Sequence, residues 1–334
     1  MFKVLGVREI ERNAWDELLK ASSCSTWFQT YEAYAFFDKL SFVEAFAVGF
    51  ESSGQLKGII VGLIQKDGGP IKRFLSRRAI INGGPLLADN ITNEELSFFL
   101  QSLKEVIQKK AIFIEMRNYN DYSQWKDVFK LNGFVYEEHY DVIVNTTSID
   151  EVNDRLDRNR RRNIKKAIEN GIQIDKNPSE TDVSSFYELL NELYKTRVKT
   201  PLYPCEFFVK LRELPSSLFC VAKDPSGKII GGVVCITLKG RAVYAWYACG
   251  EDGKYKNLSP SVMSNYAGIC HAAENGFPLF DFMGAGKPDD GGYGVRDFKM
   301  KFGGELVEYG RYKFISNRFL YSLGVWGVKL LKNV

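Results

Sequence analysis

The chain has 334 residues, 45% hydrophobic and 14% aromatic, with a net charge of +4, which fits one large or two average domains with substantial cores. No apolar run approaches the roughly 20 residues a membrane span requires. With only His139 and His271, and six cysteines in no C-x-x-C spacing, a zinc site is not expected.

In chain order, "MFKVLGVREIERNAW" is charged and alternating and lacks the apolar core of a signal peptide, so a cytoplasmic chain is expected. A helical "WDELLKA" (15–21) and "FFDKL" (36–40) precede "FAVGFESSGQLKGIIVGLI". That window, two apolar runs about a Ser-Gly turn, reads as a β-hairpin. "INGGPLL" (81–87), an amphipathic helix "EELSFFLQSLKEVIQKK" and a strand "AIFIEMRN" (111–118) follow, then a further strand in "YDVIVNTT".

Thr147 or Ser148 caps the next predicted helix, which ends at Gly171. Val152, Leu156, Ile164 and Ile168 give it one apolar face, and Arg155, Arg158, Arg161, Arg162, Lys165 and Lys166 dominate the rest. Such a charge run is most often a solvated face, although it also suits phosphate, and no aromatic-interleaved RNA signature accompanies it.

The order then repeats. "FYELLNE" (186–192) matches "WDELLKA", and "FFVKL" (207–211) matches "FFDKL". "FCVAKDPSGKIIGGVVCIT" aligns with the first hairpin at Phe46/Phe219, Val48/Val221, Ser53/Ser226, Gly54/Gly227, Gly58/Gly231 and Val61/Val234. "SVMSNYAGICHAAENG" and "PLFDFMGA" complete the second copy. A repeat of roughly 170 residues is too long for a solenoid. It predicts two similar α/β (α+β) domains with a cleft between them. Residues 1–150 carry 17 Lys and Arg against 20 Asp and Glu, a balance of −3, which leaves +7 for the remainder and points anionic ligands there. The scattered cysteines, several inside runs such as "LFCVA", read as buried free thiols.

The glycine- and lysine-rich "GAGKPDDGGYG" is not a phosphate-binding P-loop. Asp281 stands at the first glycine position and Pro288 where Ser or Thr must hold magnesium. It reads as a loop after the strand Phe280–Met283, with "VRDFKMKFGGELVEYGRY" as the next hairpin.

"NRRRNIKKAIENGIQI", "INGGPLL", "NGFVYEEHYDVIVNTT" and "YGVRDFKMKFGGELVEYGRY" together resemble the Fem family of FemA/FemB/FemX-type aminoacyltransferases, over nearly the whole chain. The resemblance implies two tandem GNAT-like domains, here 1–147 and 148–314, with 315–334 packing back on the first through Phe319, Leu320, Leu323, Trp326 and Leu330. The helical hairpin of FemA-type members is missing, with only a short turn near Lys239-Gly240-Arg241 in its place. The resemblance further implies transfer of an amino acid from aminoacyl-tRNA to an amine of a peptidoglycan precursor. An activated ester needs positioning and oxyanion stabilisation rather than a protein nucleophile or a bound cofactor.

Lys299 in "DFKMKFG" matches the family's functional lysine, which contacts phosphate or developing charge. Arg296 and Lys301 flank it. Arg197 stands where the family grips the precursor, with Lys195 or Lys199 as neighbours in register, and Tyr247, rather than Tyr244, is expected to line the cleft. Asp281 is either a base for the amine or a buried aspartate, and Asp289, Asp290 and Asp297 are loop carboxylates that could bind a peptide amine. His271 reads as structural. The alternatives are a CoA-dependent N-acyltransferase on a sugar or lipid amine and a non-catalytic GNAT-fold binding protein. For CoA, neither "CGEDGKYKNLSPS" nor "NGGPLLADNITN" fits a pyrophosphate loop. The apolar C-terminal segment, with Lys329 and Lys332, permits at most peripheral contact with the inner face of a membrane.

Overall fold

A computed structural model describes residues 1–66, 69, 74–289, 291 and 293–332. The chain forms two compact units, Met1–His139 with Glu308–Val334, and Tyr140–Val307. In the first, β1 (Phe2–Gly6), α1 (Arg12–Ala21) and α2 (Tyr31–Asp38) precede β2 (Glu44–Ser52), β3 (Gln55–Gln65), β4 (Arg78–Asn82) and the short β5 (Leu86–Leu87). Next come α3 (Asn93–Ile107), β6 (Phe113–Arg117), α4 (Lys126–Leu131) and β7 (Val135–Glu137). The second contains β8 (Tyr140–Asn145), α5 (Ile149–Arg155), α6 (Arg158–Glu169), β9 (Gln173–Asp175), α7 (Glu180–Leu193) and α8 (Cys205–Arg212). It continues with β10 (Ser217–Lys223), β11 (Ile229–Leu238), β12 (Ala242–Gly250), α9 (Pro260–Glu274), β13 (Leu279–Asp281), α10 (Tyr293–Met300) and β14 (Glu305–Glu308). Finally, β15 (Arg311–Ile315) and α11 (Arg318–Lys332) return to the first unit.

The strand orders are β1-β2-β3-β4-β6-β15-β7, with β5 on β3, and β9-β10-β11-β12-β13-β8-β14. Position by position these are the same sheet. In each, antiparallel strands lead to one parallel pair, β4/β6 or β12/β13, joined through a helix, α3 or α9. The sixth strand is exchanged in both. β8 follows β7 after two residues yet joins the second sheet, and β15 follows β14 after two residues yet joins the first. The boundaries expected at 147/148 and 314/315 therefore lie at 139/140 and 307/308. Alternation tells which face of a strand is buried but not which sheet it enters.

Both hairpins form. Ser53 (φ 51) and Gly54 (φ 79) make a two-residue turn whose positive φ values match the strand twist. The second turn is longer: Asp224 accepts from Ser226 N and Lys228 N, and Gly227 takes φ 86. The single helix expected to Gly171 is two, because Asp157 accepts from Asn159 N and starts α6 afresh. Val152, Leu156 and Ile164 are buried but Ile168 is exposed.

Each sheet packs its own core. Leu96, Phe99, Leu100 and Leu103 of α3 cover one face of the first sheet. Val262, Ile269 and Ala272 of α9 join Val233, Val243 and Phe280 in the second. On α11, Tyr321 meets Phe113 edge-on at 5.3 Å. Phe319, Leu323 and Trp326, expected to find partners there, stay exposed, and the side chain of Leu330 lies outside the described residues. Among the described residues no helix is long and apolar enough to cross a membrane.

Candidate functional site

β12 and β13 pair only through Ala242–Tyr244 and Leu279–Asp281. Beyond Tyr244, β12 keeps β11 on one side, while among the described residues no strand pairs its other edge. The two strands therefore splay apart beyond Tyr244 and form a fork. β11 and β12 shift register where Val234 faces Tyr247 and Cys235 faces Ala245, which leaves Trp246 as a bulge residue. The bulge lets consecutive residues stack: Trp246 and Tyr247 lie 5.5 Å apart at 27°. Phe208 meets Tyr247 at 5.0 Å and Phe207 meets Trp246 at 5.3 Å. Tyr194, 6.3 Å from Tyr247, opens a π-helical turn, Tyr194–Val198, that carries the exposed Arg197. Tyr244, by contrast, is buried.

At the exit of β13 sits a polar knot. Asp141 accepts from Val142 N and Gly284 N, both at 2.7 Å, and Asp281 accepts from Met283 N at 2.6 Å. Lys299 donates to Phe282 O at 2.7 Å and Gly284 O at 2.5 Å. Three side chains thereby hold the backbone of 282–284, whose Met283 (φ 54) and Gly284 (φ 100) occupy left-handed space. Both carboxyls are almost fully buried. Burial, then the charge of Asp141, raises Asp281 well above the ordinary carboxylate value of 3.8. Burial likewise raises Asp141, against the pull of Lys299 and its two N–H bonds. Burial also lowers the pKa of Lys299. Of the two, Asp281 keeps its proton to the higher pH, and Asp141 lies in the field of the Lys299 ammonium.

This gives a signed pH prediction. Folded Asp281 keeps the proton that the unfolded chain releases near the ordinary value, so its contribution is full at acid pH and is lost as pH rises through the raised pKa. Asp281→Asn retains the hydrogen bonds without titrating. Thermal melts from pH 4.5 to 7.5 should show the variant gaining on the wild-type protein as pH rises. A pH-independent difference would contradict the protonated assignment.

Lys299 lies on α10, not on a hairpin as the sequence suggested. The reason is packing at i and i+4. Phe298 and Phe302 both turn inward, where the Arg160 guanidinium lies 4.4 and 4.3 Å from their ring centres and donates to Phe298 O at 2.8 Å. Arg296 acts like Lys299 on the next stretch of chain, donating to Ala285 O at 3.2 Å and Lys287 O at 2.7 Å. The structure thus brings Arg296 and Lys299 together on 282–287 and sets Tyr247 beside the turn that bears Arg197. Lys301 is exposed, as are Asp289 and Asp297, and Asp290 lies outside the described residues. His271 stacks on Phe277.

The start of α9 faces the same end of the sheet, and part of its anion-binding capacity is already used. Pro260 has no N–H, and Ser261 N donates to Asp252 at 3.2 Å. In the preceding loop Lys254 N and Tyr255 N bond Glu251 O, while Leu258 N and Ser259 N bond Tyr255 O. Asp141, Asp252, Trp246 and Arg160 escaped the sequence reading; a lone acid in the apolar "YDVIVN" was the one faint signal.

Residues 155–300 match the model of an acetyltransferase (GNAT) domain. Among solved structures, the crystal structure of FemX superposes with a TM-score of 0.73 at 16% identity, covering 96% of this chain and 99% of that one. The chain has a Fem-like tandem GNAT fold. L-PGS from Bacillus licheniformis is similar to this tandem GNAT protein at 14% identity and a TM-score of 0.58, covering 96% of each chain. A tandem GNAT protein from the clavulanic acid biosynthesis pathway, solved without AcCoA, is similar at 9% identity and 0.58, covering 95% of this chain and 99% of that one. No curated protein sequence matches. Most of the second unit matches the GNAT domain model, and its fork, knot and α9 terminus occupy the ends of one parallel strand pair.

Proposed function

We propose that the protein moves an aminoacyl group from an aminoacyl-tRNA ester to an amine of a peptidoglycan precursor or related cell-envelope acceptor. The observation that carries this reading is the start of α9, where Pro260 has no N–H and Ser261 N is taken by Asp252. A CoA pyrophosphate would need N–H donors there, and it would meet Pro260, which has none, and the Asp252 carboxylate on Ser261 N. An ester-linked donor needs no such cradle.

The donor ester lies in the fork, where Trp246 and Tyr247 supply an aromatic wall. The acceptor nitrogen attacks the carbonyl carbon. As the tetrahedral oxyanion collapses, the C–O bond to the ribose breaks and the leaving oxygen takes the proton that nitrogen sheds. Lys299 and Arg296 act as positioning residues that hold 282–287. Arg197, on its π-helical turn, and Lys301 are the exposed cations offered to an anionic acceptor. The donor class implies a cytoplasmic location, with a nucleotide-linked or lipid-linked acceptor.

A donor screen tests the proposal. Charged tRNAs and acyl-CoAs are offered separately with a nucleotide-linked muropeptide, and product mass is followed. An aminoacyl mass increment from tRNA alone is expected. Saturable CoA binding by calorimetry, with product formed from acyl-CoA, would replace this reading with the CoA-dependent one.

A further inference from the structure

The exposed side of α6 carries charge at a cost to the helix itself. Arg158, Arg161, Arg162, Lys165 and Lys166 recur at three- and four-residue spacing and are all exposed, while Arg160, Ile164 and Ala167 form the buried side. Like charges at i,i+4 destabilise a helix, and Arg158/Arg162, Arg161/Lys165 and Arg162/Lys166 are three such pairs. One attractive pair, Lys165 with Glu169 at 3.9 Å, stands against them. Apart from the capping carboxylate of Asp157 the first turn holds no acid, so its arginines also sit near the positive end of the helix dipole. A solvated helix gains nothing from this arrangement, whereas a polyanion lying along it relieves every term. The stripe runs about 12 Å, enough to follow successive phosphates of one strand.

Beside it runs a groove of about 470 Å³ between α6, α5 and α9. Arg161 and Lys165 form its rim, and Ile164, Ile168 and Tyr266 its wall. Tyr266 is held by its hydroxyl on Asn153 at 2.7 Å. Cations on the rim and a ring on the wall suit phosphates and an unstacked base. A bilayer fits less well, because the apolar side of α6 is turned into the fold and Ile168 is its one exposed large apolar residue among the described residues.

We infer that the stripe on α6 and the adjoining groove bind the phosphodiester backbone of RNA, as the docking surface for the acceptor arm of the tRNA donor. This rests on the reading above for the identity of the RNA, but its test does not need turnover. Binding of fluorescent deacylated tRNA is measured from 50 to 200 mM salt for the wild-type chain and for the quadruple variant Arg161→Gln, Arg162→Gln, Lys165→Gln, Lys166→Gln. Vesicles containing phosphatidylglycerol form a parallel arm. The variant should bind RNA at least about tenfold more weakly, with a shallower log–log salt slope. It should melt no lower than the wild-type chain, since repulsion is removed. Unchanged RNA affinity in the variant, or no tRNA binding by the wild-type chain, overturns the inference, as does a loss confined to vesicle binding. Weakened RNA binding together with a failed donor screen would keep the surface and discard the reaction.

Discussion

Lys299→Met is expected to destabilise the second unit by about 3–5 kcal/mol, the range for removing one partner of a buried charge network. The ammonium makes two hydrogen bonds, to Phe282 O and Gly284 O, and is the cation facing Asp141 and Asp281. Methionine matches its length and leaves both carbonyls without a donor and the Asp141 carboxyl without its counter-charge. Against a total stability of about 5–15 kcal/mol, such a loss is large. It should appear in urea denaturation as a lower midpoint at unchanged slope. Adding Asp141→Asn to the variant removes the uncompensated carboxylate while keeping an oxygen for Val142 N and Gly284 N, and should recover part of the loss, so the two substitutions will not add. A loss below about 1 kcal/mol, or strict additivity, would show that Lys299 does not hold the 282–284 segment. It would return the residue to the role that the family resemblance assigned, a cation facing substrate.

That contrast shows what the sequence could and could not report. The duplication was readable because hairpins and helices leave local patterns, from Phe46/Phe219 to Val61/Val234, and both hairpins exist. The exchange of β8 and β15 was not, since partner choice is a long-range matter and each strand alternates equally well in either sheet. The F-K-x-x-F-G-G motif singles out Lys299, but a motif does not say which atoms a side chain meets. Its ammonium meets a knot whose other half, Asp141, lies 158 positions earlier. The basic run was visible as composition. Its meaning emerged only when Asp157 split the helix and the buried side of α6 fixed which cations share the other side.

The glycines of the same motif carry the second large effect. Gly303 has φ +77, and an added Cβ would stand 2.6 Å from both Arg155 Cβ and Arg155 O. Gly303→Ala therefore meets two penalties. Left-handed backbone costs an L-residue about 1–2 kcal/mol, and forcing an atom against fixed backbone adds about 1–3 kcal/mol. The expected loss is about 2–5 kcal/mol. Gly276 separates the two, because its φ is +71 and nothing lies within 4 Å of an added Cβ, so Gly276→Ala should show the backbone cost alone. Melting both variants beside the wild-type chain compares them directly. Gly303 ends the turn that follows α10, so the same strain should loosen Phe302 from Arg160 and Lys299 from the β13 exit. Acyl transfer should fall in Gly303→Ala and persist in Gly276→Ala. If the two variants melt alike, Gly303 is there for its φ alone, and the close approach of α10 to the end of α5 does not set the geometry of the site.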